Sequence, residues 1–253
     1  MKQIFVGSET KNEQQSILRK LLQLPKWIQL GIVALIIIVP FLLPKGGQGN
    51  YGNVALVETF DGTGSAIYIG NNMLLTAAHV VSDMAVNDEC TVTFIDPNDV
   101  YARGFEVTAT LNAIGNFRAD DYTPANIAED YALLVVQHFD LSKIVGSGCT
   151  IGQSANVKVS EAIKAEGFPN GEYSNTSGTV NNISGGITGS SDILVVDAGA
   201  WPGNSGGAIL NQNDQLIGIV TMGGSIKETT GMTFALKIDR VAQQLQSKGF
   251  SIR

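Results

Sequence analysis

Short apolar runs separated by turn residues dominate the chain from about Val54 onward. Runs of this kind, bounded by glycine, asparagine or aspartate, are typical of β-strands. Two sets of strands are predicted, at 54–58, 65–70, 73–77, 91–95, 104–111 and 131–136, and then at 157–166, 178–183, 193–196, 207–210, 216–222 and 232–236. We expect the first six strands to form a barrel. Only Ile238–Lys248 has a clear helical period, which predicts one closing helix.

The first 53 residues follow a different pattern. Residues 1–26 are polar and basic, and they predict either a short amphipathic helix on the inner membrane surface or a solvated tail. Trp27–Leu43 is an apolar run with Gln29 as its only strongly polar side chain, and it predicts a transmembrane helix. Residues 44–53 are rich in glycine and predict a flexible tether to a domain at 54–253.

A cleavable signal peptide is the alternative to this transmembrane anchor. The charged region of a signal peptide is normally brief, and small residues in an A-x-A-like pattern mark its cleavage site. Here 26 residues precede the apolar run and P-K-G-G-Q-G follows it, so an uncleaved anchor is favoured. The excess of lysine and arginine before the run predicts a cytoplasmic N-terminus and a periplasmic or extracellular domain.

The charge of the chain is divided unevenly between these two parts. The first 45 residues carry a formal charge of +4 and the remainder carries −11. An acidic domain repels the phosphates of nucleic acids and anionic lipid head groups, so neither is an expected partner. About 200 residues suit one two-barrel domain and leave too little chain for a second module.

Cys90 and Cys149 are the only cysteines of the chain. Neither lies beside another ligand at metal-binding spacing, so we expect no metal site and no organic cofactor. Two cysteines in an exported domain most often pair, which favours a disulfide. Two buried thiols are the alternative if the fold holds the two Cα atoms more than about 7 Å apart.

Ser205, in P-G-N-S-G-G at 202–207, is the first candidate for chemistry. The neighbouring glycines allow the positive φ of a tight turn, so the amides of Gly203 and Ser205 are candidates for an oxyanion hole. The same stretch also fits the G-x-S-x-G elbow of α/β-hydrolases or a plain turn. A serine hydroxyl is a weak nucleophile and requires a base, usually a histidine.

The chain has two histidines, His79 and His138, and both precede Ser205. An α/β-hydrolase triad runs Ser, Asp, His along the chain, so this order excludes the elbow. His79 ends the run M-L-L-T-A-A-H, where two alanines leave room for an imidazole at a strand end. Without Ser205, a core histidine with satisfied hydrogen bonds would be the interpretation of His79. His138, in V-Q-H-F-D, is interpreted as a surface residue.

Asp130 leads directly into the apolar run 131–136, which places its carboxylate at a barrel rim. A carboxylate there suits the third member of a triad, which orients the histidine. The other acids of this region are interpreted as solvated loop residues: Asp120, Asp121 and Glu129. The predicted catalytic residues, in chain order, are therefore His79, Asp130 and Ser205.

The motifs T-A-A-H, D-Y-A-L-L and P-G-N-S-G-G, in this order, closely resemble those of chymotrypsin-fold (trypsin-like) serine peptidases, and within them the bacterial HtrA-like branch. The resemblance extends from about Val54 to the C-terminus. It implies an all-β fold of two six-stranded antiparallel β-barrels, with the triad in the cleft between them and a C-terminal helix. HtrA-type enzymes generally carry a PDZ domain after the protease domain and often form trimers; we expect no PDZ domain here, and a homo-oligomer is possible.

The resemblance also implies where substrate binds. The specificity pocket is expected between the 197–202 segment and the strand that leads to residue 223, with these substrate-binding residues: Gly199, Ala200, Thr221, Met222 and Gly223. Trypsin-type enzymes have an acid six positions before the nucleophile, where this chain has Gly199. We therefore expect a small or medium apolar P1 residue.

Residue 204 is an asparagine, as in HtrA-like members, where the digestive relatives have an acid. An inserted N-terminal ammonium would be left unpaired beside a neutral amide, so we expect an active site that forms without N-terminal cleavage.

Two functions from different classes fit these observations. The first is a membrane-anchored serine endopeptidase that acts on protein or peptide substrates, in quality control or processing outside the membrane. The second is a non-catalytic peptide-binding or scaffold module on a protease fold. The three triad residues favour the endopeptidase.

Overall fold

The structure is a computed structural model, and it describes residue 25 and residues 51–99, 104–121, 123–184, 189–223 and 231–252. Apart from residue 25, these residues belong to one unit, Gln48–Arg253. The predicted transmembrane helix at 27–43 lies outside the described residues. Within the ranges given above, no helix has both the length and the apolar character needed to cross a bilayer. The anchor therefore stays a prediction.

The first six strands close into an antiparallel barrel in the spatial order β1-β2-β3-β6-β5-β4. Their bounds are β1 (Val54–Glu58), β2 (Thr63–Tyr68), β3 (Met73–Thr76), β4 (Glu89–Phe94), β5 (Phe105–Ile114) and β6 (Ala132–Val136). Each strand contributes fully buried apolar side chains to the barrel interior, among them Val57, Ala66, Leu74, Val92, Leu111 and Leu134. Successive side chains point to opposite faces of a strand, and in β3 and β6 both faces are buried, which is why these strands are continuous apolar runs in the sequence.

The second barrel is also antiparallel and closed, in the order β10-β11-β12-β9-β8-β7. Its strands are β7 (Ala162–Gly167), β8 (Ser174–Asn182), β9 (Ile193–Val196), β10 (Ala208–Asn211), β11 (Leu216–Gly223) and β12 (Thr233–Lys237). The residues that the structure describes also form two α-helices. The first, α1 (Pro124–Ile127), is a single turn before β6, and the second, α2 (Ile238–Ser247), directly follows β12. Ile238, Val241 and Leu245 of α2 are fully buried, as expected for one apolar face of a helix.

A separate buried cluster joins the two barrels. It contains Ile67 and Leu133 from the first barrel and Ile193 and Phe234 from the second, all of them almost inaccessible to solvent. The predicted two-barrel fold and closing helix are thus confirmed. The largest error in a strand boundary is at 157–166, where β7 begins only at Ala162. The 3₁₀ turn Ser154–Asn156 lies just before the predicted start, and Ser160 has a positive φ, which interrupts any extended run before β7.

The two cysteines do not form the expected disulfide. Both are free and buried: Cys90 in the interior of the first barrel, and Cys149 in the cluster between the barrels. Burial raises the pKa of Cys90 to about 12 and that of Cys149 to about 11, because the low-polarity surroundings disfavour a thiolate. The second alternative from the sequence, two buried thiols, is the one that this fold adopts.

Candidate active site

His79 follows β3 in a 3₁₀ helix, Ala78–Val81. Ala77 and Ala78 are buried, so their small side chains let the chain turn tightly against the barrel before the imidazole. The His79 side chain keeps 32% of its surface exposed, enough to meet a substrate. Its ring lies 5.9 Å from that of Phe117, centroid to centroid, at a tilt of 52°.

Asp130 contacts the imidazole of His79 at Nδ1. It follows α1, whose first turn is capped by Thr123, and it precedes β6. Its carboxylate is 2% exposed and accepts from His79 three times: Oδ2 from Nδ1 at 2.8 Å, Oδ1 from Nδ1 at 3.1 Å and Oδ1 from the backbone N–H at 3.0 Å. A carboxylate can only accept, so Nδ1 carries the proton and Nε2 is left as a base.

The other candidates from this region, three acids and His138, form no hydrogen bond or ion pair with the imidazole among the residues that the structure describes. Asp121 pairs with Arg118 at 2.7 Å, Asp120 is exposed, and His138 is exposed as predicted. Glu129 is not the solvated loop acid that the sequence predicts. Its half-buried carboxylate accepts from Arg240 of α2 at 3.1 Å, a partner 111 positions along the chain that no local pattern reveals.

Ser205 lies in a turn that only glycine allows. Gly203 has φ +100° and Gly206 has φ +83°, both in the region that L side chains rarely adopt. A Cβ at residue 206 would lie 2.1 Å from the carbonyl oxygen of Ser65, and one at residue 203 would lie 2.4 Å from that of Phe168. The glycines therefore provide both the backbone conformation and the close approach of neighbouring segments.

Every carbonyl from residue 202 to residue 205 accepts a hydrogen bond. The donors are Asn170 N–H to Pro202 O at 2.8 Å, Ser65 Oγ to Gly203 O at 2.7 Å, Gly207 N–H to Asn204 O at 2.8 Å, and Ser65 N–H to Ser205 O at 2.8 Å. Because the C=O and N–H of a planar trans peptide point to opposite sides, these bonds also orient the N–H groups of the turn.

Two N–H groups of the turn have no acceptor among the residues that the structure describes: those of Gly203 and Ser205. The other N–H groups donate within the fold, Asn204 to Trp201 O, Gly206 to Val220 O and Gly207 to Asn204 O. The free N–H group of a nucleophilic serine and a free N–H group two residues before it are the donor set of an oxyanion hole. The turn thus leaves unpaired the two donors that the sequence predicts.

His79 and Ser205 line one cavity of about 280 Å³, together with Gly203. In the described part of the chain no hydrogen bond joins the Ser205 hydroxyl to the imidazole. Bonds between nucleophile and base are often long in free enzymes and shorten when substrate binds. The cavity therefore holds a hydroxyl, a base with a free Nε2 and two unpaired amides.

A comparison of the sequence with known families agrees with this geometry. The sequence profile of the trypsin-like peptidase domain matches residues 62–219, more than half of the chain. The chain belongs to this family. It is similar to the serine protease Do-like HtrA of Bacillus subtilis, with 27% identity over 79% of the chain and 43% of that protein. It is also similar to a serine protease HtrA-like protein of Staphylococcus haemolyticus, with 26% identity over 70% of the chain and 26% of that protein.

Solved structures place this trypsin-like peptidase among the same folds. The HtrA-type protease AlgW, solved with a tripeptide, matches with a TM-score of 0.58 and 25% identity, over 77% of the chain and 59% of AlgW. An inactive form of Rv3671c from M. tuberculosis H37Rv matches with a TM-score of 0.54 and 22% identity, over 78% of the chain and 86% of that structure. The chain spans less than half the length of the two HtrA relatives that it matches.

A second cavity of the peptidase, of about 220 Å³, adjoins the imidazole on the side of Asp130. Thr221 and Met222, two of the predicted substrate-binding residues, line it together with His79. Gly223 ends β11, where its backbone pairs with Thr233 of β12. The cavity is lined mainly by apolar atoms, which suits an apolar side chain of a substrate.

Gly199 and Ala200 line neither of these two cavities. Gly199 lies after β9, where its carbonyl accepts from Thr176 Oγ1 at 3.3 Å, and Ala200 packs against the core of the second barrel. Their assignment as substrate-binding residues therefore stays a prediction.

Sequence reasoning misses Phe117, which contacts His79 from a loop that has no distinguishing pattern. It also misses Ser65, whose hydroxyl has both of its partners more than 100 positions away.

Proposed function

We propose that the peptidase cleaves polypeptides through His79, Asp130 and Ser205. The observation that carries the proposal is the pair of hydrogen bonds from one histidine to a buried carboxylate, beside a serine flanked by two unpaired N–H groups. His79 Nε2 takes the hydroxyl proton while Ser205 Oγ bonds to the substrate carbonyl carbon. The oxygen that becomes negative accepts from the N–H groups of Gly203 and Ser205.

His79 then gives its proton to the leaving amine, which breaks the peptide bond and leaves an acyl group on Ser205. Water attacks this ester by the same steps in reverse order and restores the serine. Asp130 acts throughout by holding the imidazole with its proton on Nδ1, and by stabilising the imidazolium.

Hydrolysis of a fluorogenic peptide by the full chain in detergent tests this assignment. Ser205→Ala and His79→Ala should each lower kcat by roughly 10⁴- to 10⁶-fold, because the members of a triad act as a unit. His138→Ala is the matched control and should keep its activity, since His138 is exposed and does not line the cavity. A wild-type chain no more active than Ser205→Ala, yet able to bind peptides, would support the non-catalytic module instead.

We further propose that the enzyme needs no N-terminal cleavage to become active. Asn204 is buried and neutral, and its Oδ1 has no hydrogen-bond partner within the described ranges. An ammonium group inserted beside it would stay without a counter-charge, at a cost of several kcal/mol. The uncleaved chain, verified by intact mass, should therefore hydrolyse peptides. Activity that appears only after proteolysis at one particular site would contradict this proposal.

The place of action is proposed from the N-terminal sequence. The apolar run at 27–43 with basic residues before it supports an uncleaved anchor, a cytoplasmic N-terminus and a protease domain outside the membrane, where quality control or processing of proteins is the role. A protease added to intact spheroplasts should cut the outer domain and leave an N-terminal tag protected. Release of a soluble domain that starts near residue 46 would favour the cleaved signal peptide.

The preference at P1 is proposed from the residue six positions before Ser205. Gly199 provides no carboxylate for a basic side chain, so we expect a small or medium apolar P1 residue. A peptide series that varies only P1 tests this expectation: alanine or valine should exceed arginine in kcat/KM by at least tenfold. A preference for arginine would contradict the proposal.

A further inference from the structure

Ser65 belongs to β2 of the first barrel, yet its polar atoms contact the turn that carries the nucleophile. The residue is completely buried. Its N–H donates to Ser205 O at 2.8 Å, and its Oγ donates to Gly203 O at 2.7 Å. One residue thus holds the carbonyl groups of both residues whose N–H groups are unpaired.

The Ser65 hydroxyl has a second partner on the other side. Its oxygen accepts from Phe168 N–H at 2.8 Å. The roles in these two bonds are unambiguous, because the N–H of Phe168 can only donate and the carbonyl of Gly203 can only accept. Phe168 immediately precedes the 3₁₀ turn Pro169–Gly171, and this turn supplies the N–H of Asn170 to Pro202 O.

The Ser65 hydroxyl therefore holds one of the two peptide planes that flank Gly203 directly, and it is linked to the other through the segment 168–170. The plane between Pro202 and Gly203 is held by Asn170, and the plane between Gly203 and Asn204 is held by Ser65 Oγ. A glycine at φ +100° has no Cβ to limit rotation of these planes, so their orientation depends on hydrogen bonds. If the first plane rotates, the N–H of Gly203 no longer faces the substrate oxygen.

We propose that Ser65 is a positioning residue for the oxyanion hole: its hydroxyl, by donating to Gly203 O and accepting from Phe168 N–H, keeps the N–H of Gly203 directed at the oxyanion. The proposal rests on the proposed function, since it assigns a role within the same site. It predicts that the hydroxyl stabilises the transition state and has little effect on the binding of uncleaved substrate.

The full chain with Ser65→Ala tests the proposal. Loss of an oxyanion-hole donor itself costs about 10²- to 10³-fold in kcat. Here the donor remains and loses only its fixed orientation, so kcat should fall about 10- to 100-fold while KM changes less than threefold. Ser65→Thr, which keeps a hydroxyl, should recover most of the lost kcat.

A peptide aldehyde gives a readout that a merely structural role does not move. Ser205 Oγ adds to the aldehyde carbon and His79 takes the hydroxyl proton, which leaves the hemiacetal oxygen as an anion beside the two N–H groups. The inhibition constant of the aldehyde for Ser65→Ala should rise by the same factor by which kcat/KM falls. The affinity of the corresponding peptide amide should stay within threefold of the wild-type value.

Ser154→Ala is the matched control. Ser154 is also buried, at 1% exposure, and its Oγ accepts from the backbone N–H of Asp239 at 3.1 Å, beside α2 and outside both cavities of the site. Its loss should lower the unfolding midpoint and leave kcat within twofold of the wild type. An equal loss of kcat in Ser154→Ala and Ser65→Ala would overturn the positioning role.

A kcat within twofold of the wild type in Ser65→Ala would overturn the proposal, as would a loss of kcat without weaker binding of the aldehyde. If Ser65→Ala does not fold, Ser65→Cys decides, because a thiol has a similar shape and is a much weaker donor. It should lose about tenfold in kcat at constant KM, and an unchanged kcat would overturn the proposal. A wild-type chain no more active than Ser205→Ala would instead refute the proposed function, and this inference with it.

Discussion

Replacement of Asp130 by asparagine should abolish most of the activity by changing the tautomer of His79. In the native site Oδ1 accepts from the backbone N–H of His79, and Oδ2 accepts from its Nδ1. An asparagine has one acceptor oxygen, and the backbone N–H always requires an acceptor. The amide oxygen therefore takes the Oδ1 position, and the NH₂ group faces Nδ1 at the position of Oδ2.

An NH₂ group can only donate, so Nδ1 must then accept and the imidazole proton moves to Nε2. In this tautomer Nε2 cannot take the proton of Ser205. The same exchange in a Ser-His-Asp triad of another fold member costs about 10⁴-fold in kcat, and we expect a loss of this size here. At 1.36 kcal/mol for each factor of ten, this loss corresponds to about 5 kcal/mol of transition-state stabilisation.

Peptide hydrolysis and ¹⁵N spectra of the imidazoles together test this reasoning. The chain has only two histidines, so the resonances of His79 can be assigned by comparison with His138→Ala. The neighbouring Glu129→Gln is the control: it breaks an ion pair with Arg240 away from the imidazole and should keep kcat within about twofold. A loss of less than tenfold in Asp130→Asn, or a full loss with the proton still on Nδ1, would refute the argument.

Three further predictions concern the surrounding fold. Gly203→Ala places a Cβ 2.4 Å from a backbone carbonyl oxygen at a residue with φ +100°, so it should abolish hydrolysis. Gly249→Ala is the control, because Gly249 has φ +90° and open space around it; this variant should only lower the free energy of unfolding in urea by about 1–2 kcal/mol. Cys90 and Cys149 should resist Ellman's reagent at pH 8 in the native chain and release two equivalents after denaturation; no thiol after denaturation would indicate a disulfide. Burial raises the pKa of the Glu166 carboxyl, so the charged carboxylate opposes folding. The free energy of unfolding of the wild type, relative to that of Glu166→Gln, should therefore fall as pH rises from about 4 to 7. A rise over this range would contradict the raised pKa.

The sequence predicts the barrels because strands such as β6 and β9 are short, almost completely buried apolar runs, and strands such as β4 and β5 alternate buried and more exposed positions. The same reasoning predicts α2, whose bounds differ from the prediction by one residue at the C-terminal end. Strand β8 shows the limit of this approach. It begins at Ser174, four residues before its predicted start, because backbone pairing with β7 extends it through polar residues that have no apolar pattern.

The candidate site likewise contains residues that local sequence indicates and residues that only tertiary contacts reveal. His79, Asp130 and Ser205 each lie beside an apolar run or a glycine turn, so local sequence indicates them. Ser65 lies 138 positions from its partner Gly203, and no local pattern connects the two residues. Whether the two cysteines pair also depends on tertiary structure. They stay free because Cys90 belongs to one buried cluster and Cys149 to another.

Covalent labelling of the full chain by a fluorophosphonate, followed by peptide mapping, tests the central claim most directly. The reagent phosphonylates a serine only where a base removes its proton and an oxyanion hole stabilises the developing charge. The account predicts a single adduct on Ser205, lost in Ser205→Ala and slowed by several orders of magnitude in His79→Ala. No adduct on an intact folded chain, or an adduct on another serine that persists in Ser205→Ala, would contradict it.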